Sequence, residues 1–338
     1  MRSALAGAYY RPVPSSVLRI ENVRRMISAL DDPYTAYLRP ATYRLIRQET
    51  ASTYTGIGAS VLPAGHRFVV VSLLAGPAQA AGIRVGDTIV RIGGESTAHM
   101  SLTHAMARIL GPAGTPVHLE LLRSGHVVDL HVRRAVIHAP PVQVRVVSYV
   151  GHRYGVVAIS SFSVGTSVLV RRELHRLEHA GAKGLVLDLR EDPGGLVAQA
   201  VNVTSLFIDR GIVVSLQGLH QPQEVLRAVP GGATGLPLVV LVDRYTASAA
   251  EIVAAALRDN HRATIVGERT FGKALVQAVD PLTNGAALEL SIAHYTTPSG
   301  QDLSGVGLDP QIPARDDPRT GQDEALATAL RVLARPAS

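Results

Sequence analysis

Two side chains, Ser248 and Lys273, could act together as a nucleophile and its general base, and they lie 25 residues apart. Ser248 directly precedes Ala249–Leu257, an alanine-rich run of strong helix formers with Glu251 in its first turn. Backbone N–H groups at a helix start can stabilise the oxyanion that develops when a serine attacks a carbonyl. A serine in this place is also a common helix cap, so the residue alone leaves both roles open.

Lys273 could accept the serine proton only if its surroundings disfavour the ammonium form. An ordinary lysine has a pKa near 10.4, and lowering it to about 7 or 8 requires roughly 3 to 5 kcal/mol of destabilisation of the charged form. The adjoining residues, Phe271, Gly272 and Ala274–Val276, carry no charge, which is compatible with such a setting. A solvated lysine at the start of a strand is the alternative interpretation.

A histidine base is a second alternative for the same serine. The chain contains 13 histidines, and His261 or His294 with Asp188 or Asp259 would complete a Ser-His-Asp set. Ser248 does not lie in a G-x-S-x-G sequence, which marks many hydrolases that use such a set. The histidine alternative therefore lacks its local signature.

The elements around the serine and the lysine follow from the apolar pattern. Leu236–Val242 predicts a buried strand that ends just before the serine, and Ala263–Val266 predicts another strand between the helix and the lysine. From Tyr154 onward strands and helices alternate along the chain. This order favours βαβ crossovers and a largely parallel sheet covered by helices.

A glycine turn follows one of these strands, Lys183–Leu189, and reads Asp192-Pro193-Gly194-Gly195. Glycine lets backbone N–H groups approach a substrate closely, so this turn could supply one oxyanion donor while the Ala249 N–H supplies another. A simple turn into the next helix is the alternative for an isolated Pro-Gly-Gly sequence.

Composition narrows the class of protein and its partners. A chain of 338 residues with 46% hydrophobic residues, no tryptophan and four phenylalanines favours a mixed α/β protein with two or three domains. The net charge of +6 comes from scattered basic residues, so we expect no nucleic-acid partner. The chain lacks cysteine, an H-E-x-x-H sequence and a phosphate-binding G-x-x-x-x-G-K-[ST] sequence, so we expect no metal and no organic cofactor.

We expect neither an integral membrane segment nor a secretory signal in this sequence. No apolar run approaches the roughly 18 residues of a membrane span. The first residues, MRSALAGAYYRPVPSS, lack the apolar central region of a signal peptide.

Three regions differ in their hydrophobic pattern. Residues 1–53 are expected to be helical, because Ser15–Ala29 has apolar residues at helical spacing. Residues 54–135 combine short strands and glycine turns with an amphipathic helix, Ser101–Leu110, and predict a small β-rich domain. Residues 136–338 hold the alternating strands and helices, and Ala135–Val142, which contains two prolines, is expected to join them to the β-rich domain.

The β-rich domain begins with a glycine-containing turn, Gly56-Ile57-Gly58-Ala59. N–H groups in such a turn can converge on an anion, and the strand that follows can pair along its edge with an extended peptide. A plain turn is the alternative interpretation for a lone G-x-G sequence.

The chain resembles the C-terminal processing peptidases, also called tail-specific proteases, over nearly its full length. Residues 54–135 are similar to the PDZ domains of bacterial proteases. The motifs that carry the resemblance occur in the family's order and are LDDPYTAYL (Leu30–Leu38), YTGIGA (Tyr54–Ala59), KGLVLDLREDPGGL (Lys183–Leu196), ASAAEIVAAALRDN (Ala247–Asn260), VGERTFGKALVQ (Val266–Gln277) and HYTTPSG (His294–Gly300). Several spaced motifs that agree are far more specific than any one of them.

The resemblance implies a serine endopeptidase with a Ser-Lys dyad. It assigns Ser248 as the nucleophile, Lys273 as the general base and Gln277 as the residue that orients the lysine. The N–H groups of Ala249 and Gly194 would form the oxyanion hole. The implied fold is of the mixed α/β (α+β) class, with a crotonase- or Clp-protease-like core, an inserted PDZ domain and a helical N-terminal region.

The resemblance also implies partners and a location. Gly56, Ile57, Gly58 and Ala59 would hold the C-terminal carboxylate of a protein or peptide substrate, so that the PDZ domain captures or senses apolar tails. No metal or cofactor is implied, and a homo-oligomer is left open. Family members generally work outside the cytoplasm, which implies the periplasm or the cell envelope.

The chain departs from the family pattern at three places. Glu191-Asp192 replaces the usual paired asparagine before the Pro-Gly-Gly sequence and adds negative charge near the expected oxyanion hole. Ala250 replaces a serine, and Gln301-Asp302 stands where an arginine is common. The rival hypothesis is a non-catalytic peptide- or ligand-binding protein that keeps the fold, and its mark would be loss of the serine or the lysine.

Overall fold

A computed structural model describes residues 2–40, 42–43, 53–138, 140–232, 234–317 and 320–335. The helices are Arg2–Ala8 (α1), Ser15–Leu18 (α2), Val23–Ser28 (α3), Pro77–Ala80 (α4), Leu102–Ile109 (α5), Thr166–His179 (α6), Val197–Thr204 (α7), Ala249–Asp259 (α8) and Glu324–Leu333 (α9). None of them combines the length and the apolar character that crossing a membrane requires.

The strands are distributed along the whole described chain. They are Ala36–Leu38 (β1), Thr53–Gly56 (β2), Ala59–Ala64 (β3), Arg67–Leu73 (β4), Thr88–Ile92 (β5), Glu95–Ser96 (β6), Pro116–Arg123 (β7), His126–Arg133 (β8), Ala135–His138 (β9), Val142–Tyr149 (β10), His152–Ile159 (β11), Leu185–Asp188 (β12), Ile212–Gln217 (β13), Glu224–Arg227 (β14), Leu238–Val242 (β15), Thr264–Gly267 (β16), Leu275–Pro281 (β17), Ala287–Thr296 (β18) and Ile312–Pro313 (β19).

The chain forms two compact units, each assembled from separate stretches of sequence. The first consists of Met1–Ala139, Gln217–Gln223 and Leu275–His294, and the second of Pro140–Leu216, Glu224–Ala274 and Tyr295–Ser338. The domain boundaries predicted at residues 53 and 135 are not tested by this division into compact units, so they stay predictions.

The first unit contains a sheet whose strands come from residues 59–133, within the predicted β-rich region. Its strands lie in the order β3-β4-β5-β7-β8, with β6 paired to β5, and β3 is at one edge. Phe68, Ile89 and Leu119 are almost fully buried in its core. The predicted helix Ser101–Leu110 is present as α5, and the Ser101 side chain caps it by accepting the His104 N–H at 3.2 Å.

One sequence prediction for the first unit needs correction, and the segment expected to join the domains includes a strand. The helix expected over Ser15–Ala29 is divided into α2 and α3, because Asn22 starts a new helix by accepting the Arg25 N–H at 3.1 Å. The linker expected over Ala135–Val142 begins with a strand, β9, which pairs antiparallel with β2. The β-branched residues of β9 favour this pairing, and the prolines follow it.

The second unit is built on a sheet in the order β10-β11-β12-β15-β16-β19. All neighbours from β11 to β19 are parallel, and β10 is an antiparallel edge strand, which confirms the predicted largely parallel sheet. Every residue of β15 is buried, as its continuous apolar sequence predicts. Because β12 and β15 are parallel neighbours, the turns that follow them leave the same edge of the sheet.

Candidate active site

Ser248 lies at the predicted turn from strand β15 to helix α8 and is the residue before the first helical turn. Its backbone has φ +54° and ψ −117°, a combination that is rare for a residue with a side chain and costs about 1–3 kcal/mol. The turn that leads to it is fixed by Asp243, whose Oδ1 accepts the N–H groups of Tyr245 and Thr246. The surrounding structure therefore holds the serine in a conformation that it would not adopt alone.

The carboxylate of Glu251 joins the serine turn to the lysine segment. Its Oε2 accepts the N–H groups of both Ser248 and Lys273, each at 2.9 Å. Its Oε1 accepts the Gly272 N–H at 2.8 Å and the Thr270 hydroxyl. Since both amide nitrogens are bonded to one oxygen atom, they can be no further apart than twice 2.9 Å.

Tyr295 makes a second bridge between the same two residues. Its hydroxyl lies 3.2 Å from the carbonyl oxygen of Ser248 and 2.9 Å from that of Lys273, and its single proton is shared between them. The Tyr295 side chain is 1% exposed. Glu251 thus accepts the N–H groups of the serine and the lysine, and Tyr295 donates to their carbonyl oxygens.

Glu251 is fully buried, and burial raises its pKa above the ordinary value. The Thr270 hydroxyl and three backbone N–H groups act in the opposite direction, because they stabilise the charged form. The position of Glu251 at the start of α8 adds the favourable field of the helix N-terminus. Burial is the largest of these influences on the pKa.

The backbone of the lysine segment is fixed before Lys273. Gly272 has φ +87°, and a Cβ atom there would lie 2.8 Å from the Leu303 carbonyl oxygen, so only glycine fits. The preceding Phe271 donates its N–H to the Thr246 carbonyl at 3.0 Å. Lys273 itself is half-buried. These contacts set the direction in which the lysine leaves the turn.

The predicted oxyanion turn packs directly against the serine. Gly194 has φ +98°, and a Cβ atom there would lie 2.8 Å from both the Ala249 nitrogen and the Ser248 Cβ. The structure therefore brings Gly194 and Ala249 together as the sequence predicts. The Gly194 N–H, however, donates to Asp192 Oδ1 at 2.7 Å, so an oxyanion would have to compete with that carboxyl group.

Asp192 is a buried acid next to this turn. It is 0% exposed, and its Oδ2 is buried without a hydrogen-bond partner among the described residues. Burial holds its pKa well above the usual range, with a smaller contribution from the charge of Asp243. The raised pKa favours the protonated form of this carboxyl group, which has no charge to bury. The neighbouring Glu191 has a pKa raised to about 7, mainly by burial.

Gln277 lies on β17, directly after an irregularity in the pairing of β17 with β18 between Val276 and Gln277. Such an irregularity re-aims a side chain relative to the regular strand. The Gln277 side-chain amide donates to Ser291 Oγ at 3.4 Å. Gln277 belongs to the first unit and Lys273 to the second, and its orienting role stays a prediction.

The carboxylates of the Ser-His-Asp alternative have other partners. Asp188 pairs with Arg190 at 2.7 Å, and Asp259 pairs with Arg258 at 2.7 Å and accepts the Ser299 N–H. In the described part of the chain, neither carboxylate bonds a histidine. The geometry gives this alternative no support.

The Gly56–Ala59 turn has fixed peptide planes. The Ile57 carbonyl accepts the Ala78 N–H at 2.8 Å, and the Gly58 carbonyl accepts the Leu74 N–H at 2.9 Å. In a trans peptide the N–H points opposite to the carbonyl, so the N–H groups of Gly58 and Ala59 point away from these contacts. Gly58 has φ +81°, which favours glycine.

One group of potential metal ligands lies outside the serine site. His118, Asp129 and His131 face one another on β7 and β8 of the first unit, with ligand atoms within 4.8 Å of one another. His118 Nε2 lies 2.7 Å from Asp129 Oδ1, as in an ordinary surface ion pair. The serine chemistry does not involve them.

Sequence reasoning missed the bridging roles of Glu251 and Tyr295. Glu251 stands three residues after Ser248, and the spacing S-x-x-E is the signature of a capping box, which would have indicated its bond to the Ser248 N–H. Its bonds to residues 270–273 have no local signal, because they join distant parts of the sequence. Tyr295 lies within the motif HYTTPSG, but nothing in that motif indicates its partners.

Comparison with known families and proteins gives consistent matches. Residues 153–314 match the model of peptidase family S41, and residues 69–123 match the model of a PDZ domain. The chain is 37% identical over 306 residues to a carboxyl-terminal-processing protease of Synechocystis sp., covering 89% of this chain and 72% of that protein. It is 36% identical over 309 residues to the carboxy-terminal processing protease CtpA of Bacillus subtilis, covering 90% of this chain and 66% of that protein.

A solved structure matches the fold as a whole. The chain superimposes on the photosystem II D1 C-terminal processing protease with a TM-score of 0.82 and 30% sequence identity. The match covers 99% of this chain and 96% of that protein. The expected fold class, a mixed α/β protein with a PDZ domain, is confirmed.

Replacing Glu251 by glutamine is expected to lower the free energy of unfolding by about 1–3 kcal/mol. In the wild-type protein the carboxylate accepts buried N–H groups, and the glutamine NH2 group would replace one of its accepting oxygen atoms. Urea unfolding of Glu251→Gln measures this loss. Glu224→Gln, at an exposed glutamate of β14, is the matched control and should change stability little. Equal stability of the two variants would contradict the bridging role of Glu251.

Replacing Asp192 by asparagine is expected to change the pH dependence of stability. The folded-state pKa of Asp192 is raised, so its contribution is fully present below the unfolded-state pKa near 3.9 and is lost as the pH rises toward the folded-state value. Asparagine has no charge to bury, so the stability of Asp192→Asn relative to wild type should increase with pH. Urea unfolding of both proteins at about pH 4 and about pH 8 measures this difference. A difference that stays the same at both pH values would show that Asp192 does not titrate as described.

Proposed function

The chain belongs to peptidase family S41, and we propose that Ser248 is its nucleophile and Lys273 its general base. It is a serine-type peptidase of the carboxyl-terminal-processing class and acts on protein substrates. A PDZ domain accompanies the peptidase. The roles of individual residues are our proposal and follow from their positions.

In the proposed reaction the Ser248 Oγ attacks the carbonyl carbon of the scissile peptide bond. The neutral Lys273 amine takes the hydroxyl proton and then returns it to the leaving amine, which leaves an acyl-enzyme on the serine. Lys273 then takes a proton from water, which attacks the ester carbonyl; the bond from the carbonyl carbon to Ser248 Oγ breaks, Lys273 returns the proton to Oγ, and the second product leaves as a carboxylic acid. The reaction needs no metal and no organic cofactor.

One observation supports the assignment most strongly. The backbones of Ser248 and Lys273 are held together by hydrogen bonds to the side chains of Glu251 and Tyr295. A nucleophile and its base must keep a fixed relative position, since misplacement by about 1 Å can lower a rate about a hundredfold. Both bridging side chains are almost completely buried, so water does not loosen the arrangement. The serine and the lysine are both retained, which disfavours the rival hypothesis of a non-catalytic binding protein.

The proposed oxyanion hole consists of the N–H groups of Ala249 and Gly194. Ala249 is the first residue of α8, where the helix field favours negative charge. Gly194 lies against it, but its N–H must leave the Asp192 carboxyl before it can bond an oxyanion. Gln277, the proposed support for the lysine, follows the irregularity in β17 that sets its direction.

We also propose that Gly56–Ala59 holds the C-terminal carboxylate of the substrate. The anchored carbonyls of Ile57 and Gly58 direct the next two N–H groups away from the domain core, as carboxylate binding requires. β3 follows this turn and is an edge strand, so a tail can pair with it by strand addition. Apolar tails and an extracytoplasmic location rest on the family resemblance alone and remain proposals.

Removal of either member of the dyad is expected to lower the rate of substrate cleavage at least about a thousandfold, because the nucleophile or its base is then absent. The measurement is product formation from a protein substrate by Ser248→Ala and Lys273→Ala. The chain has only two lysines, so Lys183→Ala, at an exposed lysine, is the matched control and should keep wild-type activity. His261→Ala and His294→Ala should also remain active, and loss of activity there together with an active Lys273→Ala would favour the histidine alternative.

Amidation of the substrate's C-terminus is expected to weaken tail binding at least about tenfold, because the charge that the Gly56–Ala59 turn recognises is removed. Fluorescence anisotropy with free and amidated tail peptides measures the effect. Gly58→Ala should weaken binding of the free tail, while Gly125→Ala, which carries a similar backbone strain in open space between β7 and β8, serves as its control. Equal binding of free and amidated peptides would contradict the proposed carboxylate site.

A further inference from the structure

A cavity of about 560 Å³ lies within the first unit and has no role in the chemistry described above. Its wall comes from α3, from the segment around β1, from the turn between β3 and β4, from residues 95–101 and from one face of α5. A concave site of this size can receive several side chains of a ligand.

The cavity wall is rich in guanidinium groups. Five arginines line it, namely Arg24, Arg25, Arg39, Arg67 and Arg108. Among the described residues, three carboxyl groups line it, namely Asp31, Asp32 and Glu95. Because concave walls focus an electric field, this imbalance makes the cavity a site for negative charge.

Two of the three acids are already bonded inside the unit. Asp32 is buried and accepts the hydroxyl groups of Tyr9 and Thr35, and Glu95 forms an ion pair with Arg108. Among the described residues, the other four arginines of the wall have no carboxylate within ion-pair distance. The positive charge of the cavity is therefore largely uncompensated.

The histidines that line the cavity are compatible with the binding of a negatively charged group. Burial and the positive charge of Arg24 lower the pKa of His104, so its imidazole is neutral at neutral pH. A neutral imidazole in this place still provides an N–H donor for a carboxylate. His66 and His99 lie next to each other on the same wall, with ring centroids 5.2 Å apart.

The cavity lies at the far end of β3 from the proposed carboxylate site. Gly56 is next to Leu110 at the C-terminal end of α5, since a Cβ atom on it would lie 3.1 Å from the leucine Cδ2. The cavity contacts Pro63 and the turn after β3, and along α5 it extends from Ser101 to Arg108. A tail that runs along β3 from Ala59 to Ala64 covers roughly 17 Å, or about five residues.

We propose that this cavity, which we call the basic cavity, binds acidic side chains of the substrate about five or six residues before its C-terminus. The proposal rests on the proposed binding of the tail carboxylate at Gly56–Ala59. It makes the substrate class more specific, as proteins whose tail combines a free C-terminus with an acidic segment just upstream. Arginine suits this task because its planar group bonds a carboxylate through two N–H groups.

A peptide is the occupant that the position favours. The cavity continues the line of an edge strand that can accept an extended chain, and it is concave instead of flat. A membrane surface or a nucleic acid would be expected to contact basic residues spread over an open face. These other anions are included as arms of the test.

The test uses the full chain carrying Ser248→Ala, so that bound peptides are not cleaved. Three labelled tails share one C-terminal sequence and differ only at the fifth and sixth residues from the end, which are Glu-Glu, Gln-Gln or Lys-Lys. The Glu-Glu tail is expected to bind about three- to tenfold more tightly than the Gln-Gln tail, and the Lys-Lys tail more weakly than both, since partly exposed ion pairs contribute modestly. The preference should shrink at high salt.

Matched variants locate the preference. Arg24→Gln combined with Arg67→Gln should remove the difference between the Glu-Glu and Gln-Gln tails while leaving the binding of the Gln-Gln tail unchanged. Arg19→Gln combined with Arg84→Gln removes two exposed arginines of the same unit that do not line the cavity, and should keep the full preference. Thermal unfolding of both double variants shows that the unit remains folded.

The outcomes separate this proposal from the one on which it rests. Equal binding of the three tails, together with loss of binding on amidation, would overturn the acidic preference and leave the carboxylate site intact. Binding that ignores amidation would overturn the carboxylate site itself. A cavity that binds phosphatidylglycerol vesicles or a DNA oligonucleotide through Arg24 and Arg67, and does not distinguish the tails, would also overturn the proposal.

Discussion

The bonds from one carboxylate oxygen of Glu251 to the N–H groups of Ser248 and Lys273 are the constraint on which the rest of the site depends. The two residues lie on different segments, one at the start of α8 and one after β16, and each segment alone could take many directions. Glu251 binds the N–H groups of both residues, and the Tyr295 hydroxyl binds their carbonyl oxygens. The strained backbone of Ser248 can persist because these contacts stabilise it.

The parallel sheet explains why a third segment reaches the same place. Parallel neighbours end at one edge, so the turn after β12 meets the turn after β15 without any long loop. Glycine at position 194 then permits an approach to the serine that no other residue allows. The same closeness buries Asp192, and burial of an acid is costly unless it is protonated. The raised pKa of Asp192 therefore follows from the same close packing that brings Gly194 to the serine.

The charged groups around Ser248 differ from those around the basic cavity in sign and in exposure. In the second unit Glu251, Asp192 and Asp243 are acids kept inside, with raised pKa values and with backbone N–H groups as their donors. In the first unit, four of the five arginines that line the basic cavity have no carboxylate partner among the described residues. Glu251 holds the segments of Ser248 and Lys273 in place, whereas the arginines are proposed to bind a ligand. A protease that selects protein tails needs both a rigid centre for bond cleavage and a separate surface that distinguishes substrates.

The sequence by itself determined most of the elements, and its resemblance to a known family named the candidate catalytic residues. The helix after Ser248, the buried strand before it, the parallel sheet and the PDZ domain all follow from hydrophobic periodicity and from spaced motifs, which are local properties of the chain. Only the tertiary structure decided how these pieces are joined, because the bonds of Glu251 and Tyr295, the contact of Gly194 with Ser248 and the grouping of arginines around the basic cavity each connect residues far apart in sequence. It also divided the first predicted helix at Asn22 and turned part of the expected linker into β9. Periodicity records which face of an element is buried, but it contains no information about which distant group will lie against that face.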